Sequence, residues 1–280
     1  MLVGGLRRAY LIQVPRRANG ERLPLVIYLH GGGGRPVVDA RPQGPPWIVI
    51  APEGVDGAWN VAGLPVGQQH KPMDPRVDDL AFLEALIDLA VQREGADPHR
   101  VTLGGISLGG MMALLALSKL NHKIHAAAVA ISSMPAHIRP GYALPHTTHV
   151  LIMNGTEDPL VPYQGGPLGG RRRNPQDRQY DMLPTEAVAR DLARMLSLPP
   201  NPTVTMLPDP AEDGCRSERW EWRGGSGKGS VTLVKVIGGG HNIPGMSPYL
   251  PKFLVGATSK DYDGMRLIRD WMNSLPPRSR

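Results

Sequence analysis

The chain has 280 residues, enough to bury a sizeable core as one large domain or two small ones. Hydrophobic residues at 41% and charged residues at 20% exclude a disordered chain and suit a globular one, while 34 glycines and 29 prolines mark many loops between ordered elements. A formal charge of +6 permits anionic partners, but the arginines are scattered apart from Arg171-Arg172-Arg173, which reads as a solvated loop, and no nucleic-acid motif accompanies them.

In chain order, residues 9–14 are apolar and predict an edge strand of antiparallel type. Residues 16–20 then turn at Asn19-Gly20, a strong hairpin signal. Residues 25–29 predict a buried strand that runs straight into His30-Gly31-Gly32-Gly33-Gly34, where missing side chains expose backbone amides. A Pro-rich link over 35–46, too short for a long crossover helix, leads to a strand at 47–51. The long loop 52–74 carries Glu53, Trp59 and Asn60, and loops of that length tend to be functional.

Apolar residues at Leu80, Leu83, Leu86, Ile87 and Ala90 predict an amphipathic helix over 78–92, which Asp97-Pro98 separates from the next strand. That strand, from Val101, passes through Gly105-Ile106-Ser107-Leu108-Gly109 into an unbroken alanine- and leucine-rich helix. Strands follow at 126–131 and 149–153, the second ending in Asn154-Gly155-Thr156-Glu157-Asp158-Pro159. Residues 165–181 form a polar excursion, Thr185 caps a helix over 186–196, and 203–207 and 231–237 predict strands around a variable loop, 209–229. The last strand runs into Gly238-Gly239-Gly240-His241-Asn242, and 263–275 supplies a closing helix. Alternating strands and helices predict a three-layer α/β domain over 1–280, with a mainly parallel central sheet and helices on both faces.

Gly105-x-Ser107-x-Gly109 between a strand and a helix is the pattern of a nucleophile elbow, which holds a serine hydroxyl out of the sheet at a helix N-terminus. The bland alternative is a tight turn with a capping serine. Three loops follow the carboxyl ends of predicted strands, where open α/β sheets place their sites, and they carry Ser107, Asp158 and His241 in that order. A serine hydroxyl needs an imidazole to take its proton and a carboxylate to hold that imidazole in the right tautomer. Amides of Gly32 and Leu108 are the candidate oxyanion donors.

His241 is preferred because it alone follows a strand within a glycine cluster after the elbow; His30 is read as positioning the oxyanion loop. Asp158 could merely cap a turn, but its competitors Asp181, Glu186 and Asp209 do not follow a strand directly. Trp59, Trp220 and Trp222 suit either packing or an aromatic substrate platform, and Met111 and Met112 suit the core. Cys215, the single cysteine, can form no intrachain disulfide and reads as a bystander thiol. No metal is expected, because zinc-type spacings and paired cysteines are absent, and no Gly-Lys-Ser/Thr ending follows the glycine run to bind a nucleotide. No apolar run reaches membrane-span length, and residues 1–8 do not resemble a signal peptide, although a removed signal would leave the same sequence and so leaves the compartment open.

Six blocks carry a resemblance: Leu29-His30-Gly31-Gly32; Ala51-Pro52-Glu53-Gly54 with Trp59-Asn60; Val77-Asp78-Asp79-Leu80-Ala81-Phe82; Asp97-Pro98-His99-Arg100-Val101 into the elbow; residues 154–163; and residues 238–245. In that order they resemble the α/β-hydrolase esterases grouped with polyhydroxybutyrate depolymerases, LpqC-type lipoproteins and feruloyl or acetylxylan esterases. The resemblance implies a Ser107, Asp158, His241 triad and ester hydrolysis without a cofactor, on a small-molecule or polymer-linked ester. Feruloyl, acetyl or other aryl and acyl esters lead, a hydroxyalkanoate polyester comes second, and a catalytically silent binding protein on the same fold is the alternative of another class. The chain departs from the group where an aromatic residue usually replaces Asn242-Ile243, and where further cysteines usually pair near Gly214-Cys215. The segment between Gly34 and Trp47 is shortened, and no separate polymer-binding module is visible, which favours soluble esters.

Overall fold

The computed structural model describes residues 1–18, 20–37, 46–65, 74, 76–170 and 179–278. Asn19 of the expected turn, most of the Pro-rich link, part of the 52–74 loop and Arg171-Arg172-Arg173 lie outside the described residues. The chain divides into two compact units, Met1–Ala128 with Leu275–Arg280, and Val129–Ser274.

The first unit opens with a short hairpin of β1 (Leu2–Val3) and β2 (Leu6–Arg7), which the sequence did not signal. Its sheet runs β3 (Tyr10–Gln13), β5 (Ile48–Pro52), β4 (Leu23–Leu29), β6 (Ala96–Ile106). The β4 strand pairs in parallel with both β5 and β6, whereas β3 closes the edge antiparallel to β5, as its sequence predicted. Leu25, Ile27, Ile48, Ile50, Val101 and Leu103 are buried without remainder, so these strands read as continuous apolar runs rather than as alternating ones. Asp97-Pro98 lies inside β6 rather than before it. The ladder to β4 shifts register between Leu23 and Leu25, an irregularity of the kind that accommodates a proline with no N–H to give.

Helix α1 (Asp79–Arg93) starts at Asp78, whose side chain accepts the Ala81 N–H at 2.8 Å, and it buries Phe82, Leu83, Leu86, Ile87 and Ala90. Helix α2 (Leu108–Lys119) is buried along all but its last residue, and accordingly it is apolar all round.

At β7 (Ala126–Ala130) the chain passes into the second unit. There β8 (His149–Gly155) pairs in parallel with β11 (Ser230–Ile237), which is followed outward by β10 (Arg216–Arg223) and β9 (Thr203–Met206), both antiparallel. The β10 strand corrects the expected variable loop over 209–229. Its Arg-Ser-Glu-Arg-Trp-Glu-Trp-Arg sequence has no clean apolar period, yet it pairs with β11 along all eight residues. Charges that read as loop are satisfied along the strand, as between Arg223 and Glu221 at 2.6 Å.

Helix α3 (Thr185–Met195) brings a second correction. Thr185 is not its cap; it is the first helical residue, and its buried hydroxyl accepts from Asn154 Nδ2 at 2.9 Å. The single turn α4 (Lys252–Val255) and helix α5 (Gly264–Ser274) complete the unit.

Candidate active site

The serine of the first unit is placed by backbone geometry. Ser107 has φ 51° and ψ −123°, a left-handed conformation that L side chains rarely adopt and that concentrates at functional turns. The turn is possible because its neighbours lack side chains. A Cβ on Gly105 would lie 2.4 Å from the Gly109 carbonyl oxygen, and one on Gly109 would lie 2.3 Å from that of Leu29 and 2.4 Å from that of His30. Strand, elbow and helix therefore pass in backbone contact with the end of β4.

The loop that leaves β4 sits against the same turn. A Cβ on Gly31 would touch Ser107 Cβ at 3.5 Å, and one on Gly32 would touch the Leu108 side chain at 3.7 Å. Gly33 turns the loop with φ +73°, and the Gly34 N–H returns to the Gly31 carbonyl at 3.0 Å. Leu108, as first residue of α2, has an amide with no acceptor inside its helix. The two residues expected to supply the oxyanion donors are thus neighbours.

His30 ties this loop to its surroundings. The Gly54 N–H donates to its Nε2 at 3.0 Å, which leaves Nδ1 as the protonated nitrogen, donating to the Gly31 carbonyl at 2.8 Å. Trp59 is wholly buried; its indole N–H donates to the His30 carbonyl at 2.9 Å, and the two rings lie 4.9 Å apart. Of the two readings of Trp59, burial supports packing.

Sequence reasoning missed the clamp below. Buried Asp79 accepts Arg8 Nη2 at 2.5 Å and the Asn60 N–H at 2.6 Å, while Arg8 also reaches the Glu53 carbonyl and covers the Phe82 ring. The Asp78-Asp79 pair held a signal for it, since only the first carboxylate is needed as a cap.

In the second unit the parallel pairing of β8 with β11 brings their carboxyl ends to one edge. The loops beyond are laced together: the Thr156 N–H bonds the Val236 carbonyl, the Glu157 N–H that of Gly239, and the Gly238 N–H the Thr156 hydroxyl, all at 2.9 Å. Asp158 and His241 meet there, both buried, with Nδ1–H donating to Asp158 Oδ2 at 2.6 Å. The other carboxylate oxygen accepts the N–H groups of Leu160 and Val161 at 2.8 Å each. A carboxylate so bonded can stay charged without bulk water, and it fixes the histidine tautomer that leaves Nε2 as a proton acceptor.

Trp222 is buried and Trp220 lies under the Arg190 and Lys235 cations, so packing accounts for both. The Cys215 thiol, buried and facing Asp213, is pushed up to about 11 and stays protonated near neutrality. Tyr249, which sequence reasoning passed over, sets its ring 6.5 Å from that of His241 in an edge-to-face arrangement. Nothing in Pro248-Tyr249-Leu250-Pro251 announced it. Among the described residues no cluster of three or more His, Cys, Asp or Glu is placed to hold a metal ion, and no helix is long and apolar enough to cross a membrane.

Residues 66–169 match the phospholipase/carboxylesterase family. Over 295 aligned positions the chain is 30% identical to NocK of Nocardia uniformis subsp. tsuyamanensis, designated an esterase, covering 93% of this chain and 77% of NocK. Among solved structures, the acetyl xylan esterase from Aspergillus awamori superposes with a TM-score of 0.54 over 94% of this chain and 93% of its own, at 14% identity, a likeness of α/β-hydrolase fold. A thermostable esterase, 21% identical, matches 57% of this chain and 46% of its own with a TM-score of 0.46.

Proposed function

The chain belongs to the α/β-hydrolase esterases and is a carboxylic ester hydrolase, and from that premise we propose an acyl-enzyme mechanism run by Ser107, His241 and Asp158. Ser107 Oγ attacks the ester carbonyl while His241 Nε2 takes the hydroxyl proton, and Asp158 holds the imidazole and stabilises its charged form. The negative oxygen that develops is received by the amides of Gly32 and Leu108. His241 then returns the proton to the leaving alcohol, and water, activated by the same base, releases the acid. Residues 1–280 act as one catalytic domain in this reading.

The observation that carries the proposal is the buried 2.6 Å Asp158–His241 bond, with the other carboxylate oxygen held by two backbone amides. A structural histidine on a surface loop has no need of a dedicated buried carboxylate. The sequence blocks shared with feruloyl and acetylxylan esterases favour an aryl or acyl ester of small or polymer-linked form. A hydroxyalkanoate polyester is the second substrate class, resting on the same blocks. A serine-directed phosphonate tests the mechanism: it should abolish turnover and label Ser107, with a chelator leaving the rate unchanged. Label on another serine, or activity lost to chelator and restored by zinc, would overturn it. A protein that takes up no phosphonate and hydrolyses no ester in a panel of nitrophenyl, feruloyl and polyester substrates would instead be a silent binding protein.

A further inference from the structure

Strand β9 is the last of its sheet, and among the described residues no strand pairs with its outer side. All four of its residues are exposed, Val204 at 51% and Met206 at 55%. The ladder to β10 fixes which backbone groups are still free. The Leu207 N–H bonds the Ser217 carbonyl at 2.9 Å, in the register that sets Thr205 opposite Arg219 and Met206 opposite Glu218. Backbone groups of an antiparallel strand alternate between its two sides. Thr203, Thr205 and Leu207 therefore face β10, while Val204 and Met206 turn their N–H and C=O to the open side. Such an edge is a template for another strand, and chains that block it place charges along it, lysine above all. No charged residue occurs from Pro199 to Pro208.

The sequence around β9 is symmetric about Thr205. Pro202 and Pro208 stand three residues to either side of it, and Val204 and Met206 one residue to either side. Proline has no N–H, so a strand laid along this edge finds donors at Val204 and Met206 and none at 202 or 208. Prolines that blunt an edge stand within the strand; these two stand outside β9 and leave both donors open. A two-fold axis at Thr205 answers that pattern. It sets Val204 against Met206 of a second copy, and the two such pairs exchange two bonds each, four in all. It also sets Pro202 against Pro208, where neither side has a donor to leave unmatched. An axis centred on Val204 would instead set Met206 against Pro202, and one centred on Met206 would set Val204 against Pro208. Either of those registers leaves carbonyls without a donor.

We propose that β9 pairs antiparallel with β9 of a second copy of this chain, across a two-fold axis at Thr205. Side chains alternate along the strand, so the pairing brings apolar Val204 against apolar Met206 on one face and Thr205 against Thr205 on the other. The charges of β10 fit the same register. On the first face each row across the joint reads Glu218, Met206, then Val204 and Trp220 of the second copy, with no like charges adjoining. On the second face the two Arg219 side chains are three strand spacings apart, about 14 Å, beyond the screening length at physiological salt. Each is also paired with Glu221 at 3.3 Å. A strand of an unrelated protein could use the open groups, but it has no need of prolines spaced symmetrically around them.

Sedimentation equilibrium of the full chain over about 1–500 µM tests this, since so small a joint falls in the weak, concentration-dependent class. The wild type should pass from monomer towards dimer within that range. Met206→Pro removes one outward donor per copy, two per dimer, and should raise Kd by about 10-fold or more; an edge proline leaves the bonds to β10 intact. Thr205→Lys and Thr205→Glu each put like charges face to face at the axis and should raise Kd by about 5-fold, with the melting temperature of the monomer kept. An equimolar mixture of these two should associate at least as tightly as the wild type, because a lysine then faces a glutamate. That rescue requires Thr205 to lie opposite itself. A wild type that stays monomeric to about 500 µM would overturn the proposal and leave the edge to a strand of another protein. A dimer indifferent to all three substitutions, or a mixture no tighter than either variant alone, would overturn it too.

Discussion

The two units hold their candidate catalytic groups by opposite means. In the first, backbone geometry aims Ser107, through a positive φ and through Gly105 and Gly109, whose hydrogens lie where a Cβ would collide. In the second, Asp158 and His241 are aimed by hydrogen bonds, three onto one carboxylate and one of them to the imidazole. The contrast follows from charge. A neutral hydroxyl is cheap to place, so a strained turn suffices; a buried carboxylate is tolerable only when its lone pairs are occupied. The first arrangement should therefore break on steric change, and the second on a change of donor and acceptor.

The largest effect is expected at Ser107. Ser107→Ala keeps the backbone and removes the nucleophile, so kcat on a soluble ester should fall by about 10⁶ with the melting temperature nearly unchanged. More than a few per cent of wild-type activity in the purified variant would remove Ser107 from the mechanism. Asp158→Asn comes next and probes the second unit. The amide fits the same space but presents an NH₂ or a weaker acceptor to His241 Nδ1, which favours the wrong tautomer, and kcat should drop by about 10⁴. Asp181→Asn or Asp209→Asn proving more damaging would show the acid to be misassigned.

Gly109→Ala sharpens the comparison, since it changes no chemistry. Its Cβ would stand 2.3–2.4 Å from two carbonyl oxygens at the end of β4, so the elbow helix must move away from the strand. Overpacking of this kind costs about 3 kcal/mol where backbone blocks relaxation. Chemical denaturation should record that loss. An alanine accepted within 0.5 kcal/mol would mean that the elbow is not held by backbone contact as the distances require.

These differences bear on what could be read in advance. The elbow was legible because a steric demand for glycine leaves a mark in the sequence, at Gly105 and Gly109. Asp158 and His241 were legible by position, each beyond an apolar strand that ends abruptly. The amides that bind Asp158 could not be read, because backbone donors carry no residue identity. The β10 strand was hidden for a related reason: its charges pair along the strand and erase the period of two. Arg8 and Asp79 lie 71 positions apart, and no local pattern links them. Trp59 and Trp222 show the reverse error, where a residue type associated with binding serves the interior.

The smallest effect expected is on stability, and it belongs to the first unit alone. Buried His125 donates from Nε2 to the Pro276 carbonyl at 2.8 Å, tying the chain's last segment to the start of β7. Burial holds its pKa below the ordinary histidine value, because an imidazolium there would lose its hydration, and Arg278 and Arg100 push the same way. The unfolded chain, with histidine near 6.5, then binds more protons than the folded one in the interval beneath that value. Stability is complete above about pH 6.5 and declines as pH falls towards the folded-state pKa, since protons favour the unfolded chain. His125→Gln keeps a nitrogen donor for Pro276 and removes the titration. Its melting temperature should therefore vary less between pH 7.5 and 5.5 than that of the wild type; parallel curves would place the acid sensitivity at another group.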